Sequence, residues 1–348
     1  MNNNGNYKLI TCTGYYNTGS SAIGDLLREY DDVQDFGDYE VRFAHEPDGL
    51  ADLEYNIVEN NHRHNTSNAI KRFLKYCKYQ NGNFISKRYR NVFGDDFYKI
   101  CEEYVNDLIV LKTKSWWQFD QIYRGKLFYF IDVLYSRIYK IIHFWKNKSD
   151  IRATLFLNNE KAYFSYLDEE EFLKRTKKFT NKLMLRTWDC KSKYLVLDQL
   201  IPPTNIKRYE RYFDNLTTFI VDRDPRDIYL LEVLNPYGVV PTKVEEFCIW
   251  FKIIREHRKK ENVNSNSSIM IYFEDLVYHY ESTARKICKF IGINYEINHQ
   301  RFKYFNPQKS IMNTRIWCQY PKYEKEIKYI EDNLKEYLYD YTFLKEKK

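Results

Sequence analysis

The segment that most constrains this chain is residues 8–27, KLITCTGYYNTGSSAIGDLL, where an apolar run, a glycine-bounded turn and helically spaced apolar residues follow one another. Gly14 and Gly19 bound the turn, and glycine can adopt backbone angles that are closed to other residues. A strand, loop and helix in this order direct backbone N–H groups at an anion. The segment therefore predicts a phosphate-binding loop, although an ordinary strand–loop–helix with Ser20 and Ser21 as helix caps fits the same letters.

The residues after Gly19 separate this loop from that of nucleoside triphosphatases. Those enzymes carry G-x-x-x-x-G-K-[ST], whose lysine binds the β- and γ-phosphates. This chain reads G-x-x-x-x-G-S-S, with Ser20 in the place of the lysine. The loop therefore points away from ATP chemistry and toward another anion. A small-molecule kinase stays as an alternative, and it would need both a loop lysine and a carboxylate for magnesium.

A second segment, residues 216–230, reads LTTFIVDRDPRDIYL and predicts a buried strand over residues 217–221. The strand runs into Arg223, and the carboxyl end of a parallel strand lies at the rim where α/β proteins bind ligands. The planar guanidinium of arginine suits a phosphate better than a lysine ammonium does. An alternative interpretation is a charged turn in which Arg226 and Asp227 pair at the surface, where such pairs contribute little.

Together these segments resemble the sulfotransferases that use 3′-phosphoadenosine 5′-phosphosulfate (PAPS). That family has a K-x-G-T-T-like loop for the 5′-phosphosulfate and a strand ending in R-x-P-x-D, followed by a serine, for the 3′-phosphate. Further along this chain, residues 250–258 resemble the family's basic-aromatic helix, and residues 273–276, FEDL, resemble its Y-E-D-L. Residues 309–317 resemble the basic C-terminal loop that closes over the nucleotide. The resemblance covers about the first fifty residues and residues 194–317.

The resemblance implies PAPS as cosubstrate, adenosine 3′,5′-bisphosphate (PAP) as product, and no metal ion. It also implies a set of nucleotide-binding residues drawn from the first loop, the second strand and the C-terminal loop. These are Thr18, Gly19, Ser20, Ser21, Arg223, Arg226, Lys309, Asn313 and Arg315.

Two positions depart from the family pattern. Asn17 stands where the family has the loop lysine that touches the leaving oxygen, and Leu231 stands where the serine that shares the 3′-phosphate would fall. Asn17 can donate a neutral hydrogen bond in catalysis, while Arg42, Lys112 or Lys114 would supply the cation. The same departures make a catalytically inactive nucleotide-binding or glycan-binding scaffold a further alternative.

Sulfuryl transfer needs a base for the acceptor hydroxyl, and the resemblance places it after the second strand or on a later loop. Residues 42–49 read RFAHEPDG, and Glu46 precedes a proline, which favours extended backbone at the end of a strand. His45 has the more suitable ordinary pKa, but neighbours on a strand point to opposite faces. The sequence predicts Glu46 as the base, with His45 second, and a capped turn is the alternative interpretation of the segment.

Composition favours a globular protein in a reducing compartment. The seven cysteines are scattered singly without a C-x-x-C pair, and no apolar run opens the chain, so we predict a cytoplasmic protein. The most apolar stretch, residues 127–145, carries Asp132, Arg137 and Lys140, which argue against a membrane span. Its helical spacing predicts a buried amphipathic helix instead.

Two further readings of the composition are set aside. The net charge of +7 and the thirty-three tyrosines suggest nucleic acid, but the basic residues form no cluster, so no nucleic-acid partner is predicted. The positive charge would instead attract a dianionic nucleotide. His62 and His64 suggest a metal, but no further ligands stand at a recognisable spacing, so no metal site is predicted.

The predicted architecture is an α/β fold: a three-layer parallel sheet with a phosphate-binding loop after strand one. We predict a single domain over residues 1–348, in which residues 50–193 form a mainly helical insertion that carries acceptor recognition. The second strand falls at residues 33–36 or 40–43. The predicted acceptor is a carbohydrate hydroxyl, because the insertion is large and rich in aromatic residues. Trp116 and Trp117 would provide platforms for a sugar ring, although core packing is the better explanation for at least one of them.

Overall fold

The computed structural model describes residues 7–143, 160–297 and 300–344. The chain divides into two compact units. Residues 1–45 and 180–348 form the first, here named the sheet unit, and residues 46–179 form the second, the helical unit. In the described ranges the α-helices and strands are, in chain order, β1 (Lys8–Gly14), α1 (Ser21–Leu27), β2 (Val33–Glu40), α2 (Leu50–Glu54), α3 (Arg63–Asn81), α4 (Arg90–Phe93), α5 (Phe97–Leu108), β3 (Leu111–Lys114), α6 (Gln118–Tyr123), α7 (Lys126–His143), β4 (Lys161–Phe164), α8 (Glu169–Thr187), β5 (Tyr194–Asp198), α9 (Ile206–Glu210), β6 (Leu216–Asp222), α10 (Pro225–Leu234), α11 (Val244–Lys259), β7 (Ser268–Tyr272), α12 (Phe273–Tyr278), α13 (Tyr280–Ile291), α14 (Pro307–Ser310) and α15 (Glu324–Asn333).

The sheet unit is built on five parallel strands in the order β2-β5-β1-β6-β7. In the register, Ile10 of β1 lies between Val196 of β5 and Thr217 of β6. The chain leaves β1 toward β2 on one side and leaves β6 toward β7 on the other. Adjacent strands whose connections diverge in this way open a crevice at their carboxyl ends, which is where open α/β sheets bind ligands.

Both faces of the sheet are buried. One face packs on α1, α12 and α13 through a core that includes Ile10, Cys12 and Phe219. Because side chains alternate along a strand, the buried Leu9 and Ile220 point to the other face. A parallel sheet covered on both sides fixes its strand ends firmly, so the loops at its carboxyl edge start from defined positions.

The helical unit has an aromatic core of its own. Tyr104 of α5 stacks on Phe179 of α8 with ring centres 4.3 Å apart, and Phe73 of α3 packs edge-on against both. The strands β3 and β4 form a separate antiparallel hairpin, with Leu111 opposite Phe164. The insertion predicted over residues 50–193 overlaps this unit.

The predicted α/β class, with a parallel sheet flanked by helices and a loop after strand one, is confirmed. The second strand runs from Val33 to Glu40, with a register shift between Asp35 and Glu40, so it covers the first of the two predicted ranges and ends at the first residue of the second. In the described ranges, no helix is both long and apolar enough to cross a membrane.

One prediction was wrong. Residues 126–143 form the helix α7, but its apolar stripe, with Phe130 and Ile141, is exposed instead of buried. The side of the helix that is buried carries Asp132, whose carboxylate accepts a hydrogen bond from Gln121 Nε2 at 2.5 Å. Residues 144 and 145 of the predicted helix lie outside the described ranges.

Candidate active site

A cavity of about 510 Å³ opens at the carboxyl edge of the sheet, within the sheet unit. Its volume falls in the range of sites for small molecules. It lies against the loop after β1, the end of β2 and the loop after β5. The lining residues are Gly14, Tyr15, Tyr16, Asn17, Thr18, Gly19, Ser20, Ser21, Glu40, Arg42, His45, Asp198, Gln199, Pro202, Pro203 and Tyr237.

The loop after β1 has a conformation that requires glycine at Gly19. Its φ is +80°, and a Cβ atom there would lie 2.9 Å from the ring of Phe273. Thr18 is buried and its hydroxyl donates to the Tyr15 carbonyl at 2.7 Å, so this side chain closes the loop from inside. The backbone N–H groups of Gly19, Ser20 and Ser21 make no hydrogen bond with any described residue. These three donors are therefore available to an anion.

Gln199, the first residue after β5, attaches the neighbouring loop to this turn. Its backbone N–H donates to the Cys12 carbonyl at 2.9 Å. Its side-chain amide donates to Ser20 Oγ at 3.2 Å and accepts from Thr13 Oγ1 at 3.0 Å. The position of Ser20 is thus set by a side chain from the adjacent strand.

Asn17, which replaces the family's lysine, adopts a left-handed backbone conformation with φ of 59°. Asparagine tolerates this conformation better than most residues. Its Nδ2 donates to Oε2 of the buried Glu232 at 3.4 Å, which orients the amide. Of the three cations predicted from the sequence, Arg42 lines the cavity. It forms an ion pair with Glu40, with 3.3 Å between Arg42 Nη1 and Glu40 Oε2. Lys112 and Lys114 lie on β3 of the helical unit.

Arg223 lies just past the end of β6. It connects the first loop, which is the loop after β1, to the C-terminal segment, residues 309–317. Only 5% of its surface is exposed. Nη1 donates to the Asn17 carbonyl at 3.1 Å, and Nη2 donates to the Asn313 carbonyl. The guanidinium lies 4.7 Å from the centre of the Phe273 ring, the ring that also contacts Gly19. Its Nε is buried and has no hydrogen-bond partner among the described residues.

The C-terminal segment is held in place by Asp227. Its carboxylate accepts from the backbone N–H of Arg315 at 3.0 Å and of Ile316 at 2.7 Å. Burial raises the pKa of Asp227 to about 7, and the charge of Arg223 opposes this rise. Asn313 and Arg315 are thereby brought to the same end of β6 as Arg223. Lys309 lies nearby in the chain on α14.

Arg226 is placed differently. Its Nε and Nη2 donate to both carboxylate oxygens of Asp224 at 2.9 and 2.7 Å, and Nη1 donates to Glu331 at 2.8 Å. Its guanidinium also stacks 3.9 Å from the ring centre of Trp317. Arg226 therefore links α10 to α15 through its ion pair with Glu331. Its role in nucleotide binding stays a prediction.

The end of β6 carries a buried charge cluster that sequence reasoning did not single out. Asp222 accepts hydrogen bonds from Arg255, at 2.7 Å, and from Arg258. Burial alone would raise the pKa of Asp222, but the two guanidinium groups lower it below its ordinary value. Arg255 is fully buried between Phe251 and Tyr15, at 3.4 and 4.2 Å from their ring centres. The cluster therefore supports the loop after β1 from beneath, through Tyr15.

The candidates for the base are split between the two units. Glu40 at the end of β2 and His45 both line the cavity. Burial, and then the charge of Arg42, lowers the pKa of His45 to about 4, so its imidazole is neutral at pH 7. Glu46 belongs to the helical unit and is not among the residues that line the cavity. Sequence analysis missed Glu40 because residues 33–40 lack a clear strand pattern, so the end of the strand was not recognised. An acidic residue at the carboxyl end of a strand was the signal that could have identified it.

The kinase alternative finds one of its two requirements at the cavity. Asp198, at the carboxyl end of β5, lines the cavity beside Ser21 and could serve as a carboxylate for magnesium. The loop between Gly14 and Ser21 contains no lysine. In the described parts of the chain, no group of three histidine, cysteine or acidic side chains is arranged to hold a metal ion.

Comparison with known proteins adds two distant structural neighbours. No protein-family model matches the chain, and neither does any curated protein. A crystal structure of retinol dehydratase with androsterone and the inactive cofactor PAP is 18% identical over 50% of this chain and 63% of that one, with a TM-score of 0.29. This chain thus spans less than two thirds of that protein. A sulfotransferase from Mycobacterium tuberculosis H37Rv is 9% identical over 89% of this chain and 76% of that one, with a TM-score of 0.32.

One neighbour is a sulfotransferase, and the other was crystallised with PAP. Identities and TM-scores at this level assign no activity. The loop after β1, Arg223 and the C-terminal segment are the features of this chain that indicate a function.

Proposed function

We propose that this chain is a PAPS-dependent sulfotransferase. The observation that supports this most is the placement of Arg223 at the same sheet edge as the three N–H groups of the first loop that bond to no described residue. The loop would bind the 5′-phosphosulfate, and Arg223, next to the residues that line the cavity, would bind the 3′-phosphate with the guanidinium N–H groups that the Asn17 and Asn313 carbonyls leave unused. Two anion sites joined through the Asn17 carbonyl fit a nucleotide that carries a phosphate at each end of its ribose.

The transfer replaces one sulfur–oxygen bond by another. The acceptor oxygen bonds to sulfur as the bond from sulfur to the bridging phosphate oxygen breaks, and the acceptor proton passes to a base. Negative charge grows on the leaving phosphate as the bond breaks. A preorganised hydrogen-bond donor at that oxygen lowers the activation free energy by a few kcal/mol. The N–H groups of Gly19 and Ser20 and the amide of Asn17 would stabilise this charge. Arg42, which lines the same cavity, would supply the cation that the family takes from lysine.

For the base, the cavity favours Glu40, since it lies at the end of β2 with its side chain partly exposed to the cavity. Glu40→Gln should retain PAP affinity and lower the transfer rate by about 10² to 10⁴, the usual contribution of a general base. His45→Gln and Glu46→Gln serve as the two comparison variants. The transfer rates are measured at saturating PAPS. Full activity of Glu40→Gln would contradict this assignment. Loss of activity in Glu46→Gln alone would support Glu46, the base predicted from the sequence.

For the acceptor, we propose a carbohydrate. A separate cavity of about 220 Å³ in the helical unit is lined by Trp116, Trp117 and Phe119 together with polar side chains that include Asn68 and Asp120. Trp117 stacks on His64 with ring centres 4.0 Å apart, which holds the indole in place. Aromatic faces beside a few polar groups suit the apolar face and the hydroxyls of a sugar ring.

Trp117→Ala should raise the KM for a carbohydrate acceptor by about tenfold, because one stacking surface is lost. The affinity for PAP should stay unchanged, since that site lies in the other unit. Tyr166→Ala is the matched control, because Tyr166 is a more exposed aromatic residue of the same unit. Equal KM values for the two variants would remove the sugar-binding role of this cavity.

Incubation with sulfur-35-labelled PAPS and a panel of neutral oligosaccharides, phenols and sterols tests the activity itself. The proposal predicts label on an oligosaccharide and release of PAP. Label on a phenol or sterol alone would retain the sulfotransferase and replace the acceptor class. Transfer of phosphate from ATP with magnesium, and none from PAPS, would instead establish the kinase alternative through Asp198.

A further inference from the structure

The helix α7 of the helical unit presents its apolar side to solvent. Eight of its large hydrophobic side chains are between 43% and 75% exposed. Tyr129 lies apart from the other seven on the helix circumference. The seven are Leu127, Phe130, Ile131, Leu134, Ile138, Ile141 and Ile142. Soluble proteins rarely leave a contiguous apolar surface of this kind uncovered, and such a surface usually marks an interaction site.

The spacing makes these residues one stripe. With 3.6 residues per turn, the seven side chains fall within about 120° of the helix circumference. Asp132, on the opposite side, is buried. The neighbouring helix α6 adds exposed Phe119 and Ile122 to the apolar surface of the unit. The helix is therefore amphipathic with its apolar side turned outward.

The charges on α6, α7 and their connection have one sign where they are exposed. Arg124, Lys126, Arg137 and Lys140 are exposed, with Arg124 paired to Glu160, and Asp120 and Asp132 are buried. On the helical wheel, Lys126 and Arg137 flank the apolar stripe on one side, and Lys140 lies further round the helix on that side. Asp120 is paired with Lys71 Nζ at 2.5 Å, so its charge is neutralised within the unit.

We propose that α7 binds the surface of an anionic lipid bilayer, lying in the plane of the interface with its apolar stripe in the acyl boundary. An outward apolar stripe flanked by basic side chains is the arrangement of interfacial helices. The basic side chains complement anionic headgroups, which neither a neutral bilayer nor a second copy of this positively charged chain would provide. This inference does not depend on the sulfotransferase proposal.

Flotation of the full-length protein with vesicles tests the proposal. One set contains phosphatidylcholine alone and the other contains about one third phosphatidylglycerol. We expect binding to the anionic vesicles that weakens as salt is raised. The triple variant Lys126→Gln/Arg137→Gln/Lys140→Gln should lower the partition coefficient on the order of a hundredfold, and Leu134→Ser/Ile138→Ser by more than tenfold.

Ile249→Ser/Ile253→Ser is the matched control, because these isoleucines on α11 of the sheet unit are also exposed and four residues apart. Its vesicle binding should equal that of the wild type, and circular dichroism confirms that each variant is folded. Two results would overturn the proposal. One is vesicle binding that the α7 variants leave unchanged. The other is no binding to the anionic vesicles; a dimer in analytical ultracentrifugation that Leu134→Ser/Ile138→Ser dissociates would then make the stripe a contact between copies.

Discussion

Replacing Arg223 by alanine should weaken the binding of PAP by at least two orders of magnitude. The guanidinium lies at the end of β6, and it is fixed from both sides by the carbonyls of Asn17 and Asn313. Its Nε bonds to no residue in the described ranges. Its position is thus set before the nucleotide arrives, so little ordering is required on binding. Two charge-assisted hydrogen bonds to a phosphate together contribute about 3–6 kcal/mol, and their loss lowers affinity by a factor on the order of 10² to 10⁴.

Two further substitutions show what kind of contact is lost. Arg223→Lys keeps the charge but not the planar fork, so we expect an intermediate affinity. Arg226→Met removes an arginine three positions along whose guanidinium is bound by Asp224 and Glu331. It should lower thermal stability and leave PAP affinity within about threefold of the wild type. A large loss of PAP affinity in Arg226→Met would support the nucleotide role that the sequence predicts for it, and unchanged affinity in Arg223→Ala would remove the 3′-phosphate assignment.

Replacing Arg255 by methionine should lower the free energy of unfolding by about 3–5 kcal/mol, the usual effect of removing one partner from a buried ion pair. Arg255 is fully buried, and without it Asp222 keeps one ion-pair partner, Arg258, and the backbone N–H of Arg223 as a further donor. Methionine retains much of the volume between Phe251 and Tyr15, so the loss reports the charge more than the packing. Urea denaturation at pH 7 measures it.

The pH dependence separates the ion pair from packing. The guanidinium groups hold the pKa of Asp222 below its ordinary value, against the effect of burial. The stability it contributes is therefore complete above about pH 4, the pKa of an unfolded aspartate, and is lost as the pH falls through the lower native pKa. The difference between wild type and Arg255→Met should shrink in acid. Arg285→Met, which removes a surface pair with Glu296, is the control. A loss no larger than that of the control would contradict the role assigned to the cluster.

Much of the fold follows from the sequence because strong local signals coincide with tertiary contacts. The β-branched run at residues 216–222 is buried along its whole length as a central parallel strand. The glycine at Gly19 is required both by its φ and by its contact with Phe273. In each case one short stretch of sequence contains the information that fixes its own conformation.

Other features depend on partners that are distant in the sequence. The bonding of Arg226 requires Glu331, which lies over a hundred residues away, and no local pattern reveals it. The periodicity of α7 identifies an apolar stripe, but it does not show which side of the helix packs against the protein. In the structure Asp132 lies on the packed side and the apolar stripe on the exposed side. The end of β2 at Glu40 is obscured because residues 34–40 are mostly polar and the strand is irregular.

The measurement that tests the central claim most directly is calorimetric titration of the protein with PAP, AMP and ATP in parallel. The account predicts that PAP binds at least a hundredfold more tightly than AMP, because AMP lacks the 3′-phosphate that Arg223 would bind. ATP with magnesium should bind weakly, because Ser20 stands in place of the loop lysine. Equal affinities for PAP and AMP, or a preference for ATP with magnesium, would contradict the assignment of this cavity to PAPS.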